Sequence, residues 1–201
     1  QKSGTLIIKE DIMSNKLKEL TWAHHQSAER RKFAKELISG NIDTALYHKF
    51  LCCQYMNYEV LERHTIIPPN LHAIKRHRRI FEDIRELEDV FGYSPTGDFP
   101  PSVSKYASYV NGLAEADDNE ALLAHMYVRH FGELHGGQII KKKTPGNGLM
   151  YEFEGDTKVL IEQFRTLLSD DMADEAKVCF DFASELFDEL SKEMVDKAAI
   201  T

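Results

Sequence analysis

Between Phe131 and Gln138 the chain reads Phe-Gly-Glu-Leu-His-Gly-Gly-Gln, inside a stretch that otherwise patterns as a helix. A glycine in a helix interior costs about 1 kcal/mol relative to alanine, so three of them together need a use. Gly132 and Gly136 are one turn apart and share a face. Gly137 adds a bare position beside Gly136. A helix without side chains on one face lets its backbone approach something large and flat, and it bends there. The pattern calls for a planar cofactor or a closely packed helix against that face.

The rest of the sequence patterns as helix almost throughout. Ile12, Met13, Leu17, Leu20 and Ala28 recur at helical spacing over residues 10–29, and residues 30–39 continue to a stop at Gly40. Asp43 reads as the N-cap of a long helix reaching Thr65, which Pro68-Pro69 ends. Residues 71–91 are helical with a break, and Ser94 to Pro101 is a loop. Helices follow over 102–116, 119–143, 157–168 and 173–197, with a turn at Thr144-Pro-Gly-Asn-Gly148. Only Leu149 to Phe153 could be extended. The expectation is one all-α domain over 1–201, without internal repeats or a linker long enough to divide it.

Composition narrows the function. With 42% hydrophobic residues in 201, one sizeable core is possible. The net charge of −8 argues against nucleic-acid binding as the main task. No apolar run is long enough to span a bilayer, and neither a signal-peptide pattern nor a membrane anchor is visible. Cys52, Cys53 and Cys179 are an odd set without metal-site spacing. They suggest reduced thiols in a cytosol-like compartment, with the adjacent pair packed as small apolar residues on a buried helix. A soluble protein of the cytoplasm or a plastid-stroma-like compartment is expected.

Of nine histidines, His24 and His25 stand out. They point about 100° apart on a helix. His24 is in phase with Leu17, Leu20 and Ala28, whereas His25 is in phase with Lys18 and Glu29. A neutral imidazole can ligate a metal through one nitrogen if an acceptor fixes the other, and Glu29 is placed to be that acceptor. Lys18 could meet an anionic group at the edge of a ligand. A surface i, i+4 pair is the cheaper reading of the same residues.

Two runs together carry a family resemblance. Leu17-Lys-Glu-Leu-Thr-Trp-Ala-His-His25-Gln-Ser-Ala-Glu29 resembles the heme-ligand helix of heme oxygenases. Tyr127-Val-Arg-His-Phe-Gly-Glu-Leu-His-Gly-Gly-Gln138 resembles their distal helix, usually Tyr-x-Arg-Tyr-x-Gly-Asp-Leu-Ser-Gly-Gly-Gln. The segment Phe50 to Glu62, with Tyr55 and Tyr58, matches the helix between them. The two motifs lie in the right order, about 100 residues apart.

The resemblance implies a heme-oxygenase-like bundle in which heme is sandwiched between a proximal and a kinked distal helix. His25 would hold the iron, with Glu29 behind it. Gly132, Gly136 and Gly137 would form the distal wall. Lys18, Tyr127 and Arg165 match positions that hold the heme propionates, while a second family lysine is Ile161 here, so that Lys158 could substitute. The implied reaction uses heme as substrate and cofactor. Oxygen attacks one meso carbon, and carbon monoxide, ferrous iron and biliverdin result. Glu133 would anchor the distal water network, with Arg129 and Tyr58 as partners.

Two departures stand out. Glu133 is one methylene longer than the usual aspartate, and His135 replaces a common serine. His135 is expected to point away from heme; pointing inward, it could ligate iron and block oxygen. No flavin or nicotinamide fingerprint is present, so electrons must come from a separate donor. Soluble members of this length resemble those of cyanobacteria, plastids and their phages, which draw on ferredoxin and feed bilin synthesis, with a bilin reductase downstream. Lys75-Arg-His-Arg-Arg79 and Lys141-Lys-Lys143 are the basic clusters that could receive an acidic donor, or be solvated helix faces. A heme carrier, a heme-free all-α enzyme of thiaminase type and a structural helical protein are the competing classes. None of them needs His25, Glu29 and the glycines together.

Overall fold

Helix stop and start signals set the architecture. A computed structural model describes residues 4–94 and 97–194, with side chains from Lys16 onward. Eight α-helices are present among the described residues: α1 Gly4–Glu29, α2 Lys32–Ser39, α3 Thr44–His64, α4 His77–Phe91, α5 Pro101–Glu115, α6 Asn119–Lys141, α7 Thr157–Arg165 and α8 Ala173–Ser191. Gly40 and Gly92 end α2 and α4 in the left-handed conformation that only glycine adopts cheaply. Asp43 caps α3 by accepting from the Leu46 N–H at 3.0 Å, a contact worth about 1 kcal/mol. The side chains of Ile12 and Met13, residues 195–197 of the expected last helix, and Pro95-Thr96 of the loop lie outside the described residues.

The segment after the 144–148 turn corrects an expectation. Leu149–Tyr151 form one turn of 3-10 helix, not a strand. The Asp83 carboxylate takes the N–H groups of Leu149 and Met150 at 2.7 and 2.8 Å, so they have no need of a neighbouring strand. The break expected within 71–91 is real: a 3-10 helix, Pro69–Ile74, precedes α4.

α3 and α8 are the central members. α3 lies against α4, α5 and α6, and α8 lies against α1, α2, α5 and α6. One core, around Phe33, Tyr47, Phe50, Ile84 and Leu190, joins α2, α3, α4 and α8. The other, around Leu17, Leu61, Tyr106, Met126 and Phe164, joins α1, α3, α5, α6 and α7. α1 and α6 share α8 as a neighbour without being a closely packed pair themselves. That separation positions the site.

On α1, Leu17 and Ala28 are buried as expected, but Leu20 is exposed and Thr21 is buried in its place. The Thr21 hydroxyl is satisfied by the Leu17 carbonyl at 2.9 Å, which permits its burial. Cys52, Cys53 and Cys179 are all buried, and none is in a disulfide. Among the described residues no helix is long and apolar enough to cross a membrane.

The basic cluster at 75–79 is largely not a surface. Arg76 is buried, its guanidinium donating to the carbonyls of Ile74 (3.0 Å), Ala73 (2.5 Å) and Glu152 and lying 3.9 Å from the Phe153 ring centre. His77 pairs with Glu62 at 2.6 Å and Arg79 with Glu82 and Glu154. These residues brace α4 and the 149–154 segment, leaving Arg78 as the exposed cation of the five.

Candidate functional site

Glycines shape one wall of the site. α6 is helical without interruption from Asn119 to Lys141, through all three glycines. A Cβ added at Gly132 or Gly136 would meet nothing within 4 Å, so both face open space. Gly137 has a different neighbour: an added Cβ would lie 2.8 Å from Cδ1 of the buried Tyr151. Its bareness lets the 149–151 turn pack against α6.

The acidic residue between them is deeply placed. Glu133 is buried, and the Tyr58 hydroxyl from α3 donates to its Oε1. The same hydroxyl lies 3.1 Å from the Arg129 carbonyl oxygen. Oε2 of Glu133 is buried with no hydrogen-bond partner. Burial pushes the Glu133 carboxyl up to about 8, against the opposing effects of Tyr58, Arg76 and Arg129. Burial and the neighbouring Glu133 carry the Tyr58 phenol well above its ordinary range. The longer glutamate thus reaches Tyr58 directly. Burial favours its protonated form, and its Oε2 has no partner.

Arg129 is near Glu133 through charge and not through a hydrogen bond. Its Nε donates to the Tyr106 hydroxyl at 3.0 Å, and its guanidinium lies 4.2 Å from the Tyr106 ring centre and 5.7 Å from that of Tyr58. Tyr106 continues to His125 Nδ1 at 3.0 Å, and His125 Nε2 to Glu175 at 2.8 Å. The neighbouring His130 is fully buried and bonded to Glu62 at 2.7 Å. Burial would raise the Glu62 carboxyl, but hydrogen bonds from His130 and His77 bring it down to about 2. Sequence reasoning did not find Tyr106, His125, Glu175 or the His130–Glu62 pair. Their partners lie on other helices, so no local spacing signals them.

On α1, Lys18, Trp22, His25 and Glu29 share one stripe by helical spacing. His25 Nε2 is 3.6 Å from Glu29 Oε1, and its Nδ1 is buried without a partner. The imidazole stacks on Trp22 at 5.1 Å between ring centres, and it meets Phe180 of α8 edge-on at 5.7 Å. Lys18 Nζ lies over the Trp22 ring at 5.6 Å. His24 turns to Asp181 at 3.9 Å.

Tyr127 is half-buried and packs edge-on against Phe131. Burial raises its phenol, opposed by a hydrogen bond with Thr21 and the charge of Arg165. Arg165 ends α7, and its Nε is buried without a partner. Thus α1, α6 and α7 bring together Thr21, Tyr127 and Arg165. His135 is exposed, with Nδ1 3.0 Å from the Phe131 carbonyl oxygen of its own helix.

The site can bind a flat, anionic ligand. Among the buried side-chain atoms without a hydrogen-bond partner are a ring nitrogen of His25, a carboxyl oxygen of Glu133 and a guanidinium nitrogen of Arg165. Two bare backbone positions leave room for the flat body of such a ligand.

Comparison with known proteins agrees. The family profile described as heme oxygenase matches residues 11–189. The chain is 27% identical over 209 residues to a heme oxygenase of the red alga Porphyra purpurea, covering 91% of this chain and 88% of that protein. It is also 27% identical to heme oxygenase 2 of Macaca fascicularis, covering 90% of this chain but only 66% of the macaque protein. Among solved structures, heme oxygenase-1 of the cyanobacterium Synechocystis, in complex with heme, superposes with a TM-score of 0.78 at 24% identity, covering 92% of this chain and 95% of that one. That likeness establishes the fold. With a profile match spanning most of its length, this chain belongs to the heme oxygenase family.

Proposed function

We propose that this chain, as one domain over 1–201, performs the reaction of its family, opening heme oxidatively to biliverdin, carbon monoxide and ferrous iron. The observations that carry the reading are the buried, unpartnered atoms on His25, Glu133 and Arg165 and, separately, the open face of Gly132 and Gly136. Each fits a part of heme: an imidazole for the iron, a proton-bearing group for the oxygen side, and a cation for a propionate. Bound heme would supply the iron at which oxygen is activated and the ring that is attacked.

The residues then divide the work. His25 holds the substrate from the proximal side, with Glu29 at its other nitrogen. Gly132 and Gly136 allow α6 to lie close to the ring, which excludes bulk water and leaves one edge open to attack. Gly137 acts by seating Tyr151 behind that wall. Lys18, Tyr127 and Arg165 orient the propionate edge. Glu133, oriented by Tyr58, holds a proton at Oε2 and passes it through ordered water. Indirect delivery keeps a strong acid away from the oxygen. Arg76 and, to a smaller extent, Arg129, which is fixed by Tyr106, favour the charged form of Glu133 against its burial.

Electrons must arrive from a partner. An acidic donor of the ferredoxin type fits the exposed cations Arg78, Lys142 and Lys143. A reducing compartment such as cytoplasm or plastid stroma fits three cysteines outside any disulfide, and a bilin reductase would consume the biliverdin there. The test is to add hemin, then oxygen with ferredoxin and its reductase. The heme absorption should give way to a bilin spectrum with carbon monoxide release. Heme that is bound but not opened under this supply would refute the reading.

A further inference from the structure

The imidazole of His25 is held by fewer bonds than its role requires. A histidine ring turns about a broad, two-fold torsion, so its plane needs an external restraint. Glu29 gives little: the 3.6 Å separation is beyond a hydrogen bond, and both side chains are over a third exposed. Phe180 meets the ring edge-on and blocks only one side. The flat contact is Trp22, whose ring lies 5.1 Å away and only 11° from parallel. Trp22 stands three residues before His25, one turn along the same face. Lys18 in turn lies over Trp22.

Resting on the reading of His25 as the iron-holding residue, we propose that Trp22 is a positioning residue that fixes the plane of the His25 ring. The physical consequence is specific. The plane of an axial imidazole, projected on the heme, breaks the four-fold symmetry of the iron π orbitals and weights one pair of pyrroles over the other. A ring clamped by Trp22 therefore presents one fixed orientation to the substrate. Trp22 is 43% exposed, so changing it removes little core packing. Alanine or leucine also suits a helix surface.

Two measurements test this, each on wild type, Trp22→Phe, Trp22→Leu and His25→Ala. In the heme-free protein, proton NMR identifies the His25 ring signals by their loss in His25→Ala. Stacking on an indole moves such protons upfield. Trp22→Leu should release them downfield, and Trp22→Phe should retain part of the shift. In the ferric heme–cyanide complex, the order and spread of the four heme methyl signals report the imidazole plane. The wild-type pattern should persist in Trp22→Phe and change in Trp22→Leu. An unchanged pattern in Trp22→Leu overturns the positioning role while leaving His25 as ligand, as does an unshifted His25 signal in the heme-free protein. A wild-type pattern that survives in His25→Ala instead removes the ligand assignment, and this inference with it.

Discussion

Replacing Glu133 with glutamine tests whether this carboxyl holds a proton in the folded, heme-free protein. Burial raises it from an ordinary 4.5 to about 8. A carboxyl raised on folding favours the native state while protonated and opposes it once ionised. Its contribution is therefore complete below pH 4.5, falls as pH rises, and is gone above about pH 8. Over that window the native state keeps the proton that the unfolded chain has lost. Stability should fall by ~1.4 kcal/mol per pH unit, on the order of 5 kcal/mol in all. That is an upper bound, because an ionised Glu133 would draw in water. Glu133→Gln keeps the volume and an acceptor for Tyr58 but cannot ionise. Urea unfolding of both proteins from pH 5 to 9 should show near-equal stability at the acid end. With m of about 2 kcal/mol per molar, the midpoints should separate by roughly 0.7 M per pH unit, with the variant the more stable. Asp83, also raised by burial, to about 6, is common to both proteins and cancels in the difference. Parallel curves across the range would show that Glu133 is ionised in the fold.

Three further outcomes are expected. His25→Ala should lose the iron–imidazole signature of the ferric heme complex while His24→Ala keeps it; equal spectra in both variants would undo the axial assignment. Gly136→Leu should fold at least as stably as wild type, gaining about 1 kcal/mol of helix propensity, yet lose biliverdin production. Gly137→Ala should instead lower the thermal midpoint, because its Cβ meets Tyr151, and a stability order opposite to this would contradict the assignment of the two faces. Glu133→Asp should stay active, since the carboxyl is kept and only its reach changes. Glu133→Ala should consume heme with little biliverdin; full yield would move the network's anchor to Arg129 and Tyr58.

Much of this protein was settled locally. Gly40 and Gly92 stop helices because a left-handed residue ends one wherever the chain goes next, and Asp43 starts one by reaching its own Leu46 N–H. The pairing of His25 with Glu29 and the shared face of Gly132 and Gly136 follow from 3.6 residues per turn. Such features depend on spacing alone, so the sequence displays them. What the bare positions and charges meet is another matter. Gly132 and Gly136 face open space while Gly137 seats Tyr151, a neighbour that no spacing along the chain announces. Arg129 turns to Tyr106 from α5, and His25 meets Phe180 from α8. Arg76 looked like part of a basic surface but is buried among the carbonyls of Ala73, Ile74 and Glu152. Apart from the bonds of Arg76 to Ala73 and Ile74, these contacts join residues on different elements, and they depend on α3 and α8 holding the other helices in place. The tertiary structure alone decided which side chains are satisfied and which buried atoms, those of His25, Glu133 and Arg165 among them, have no hydrogen-bond partner.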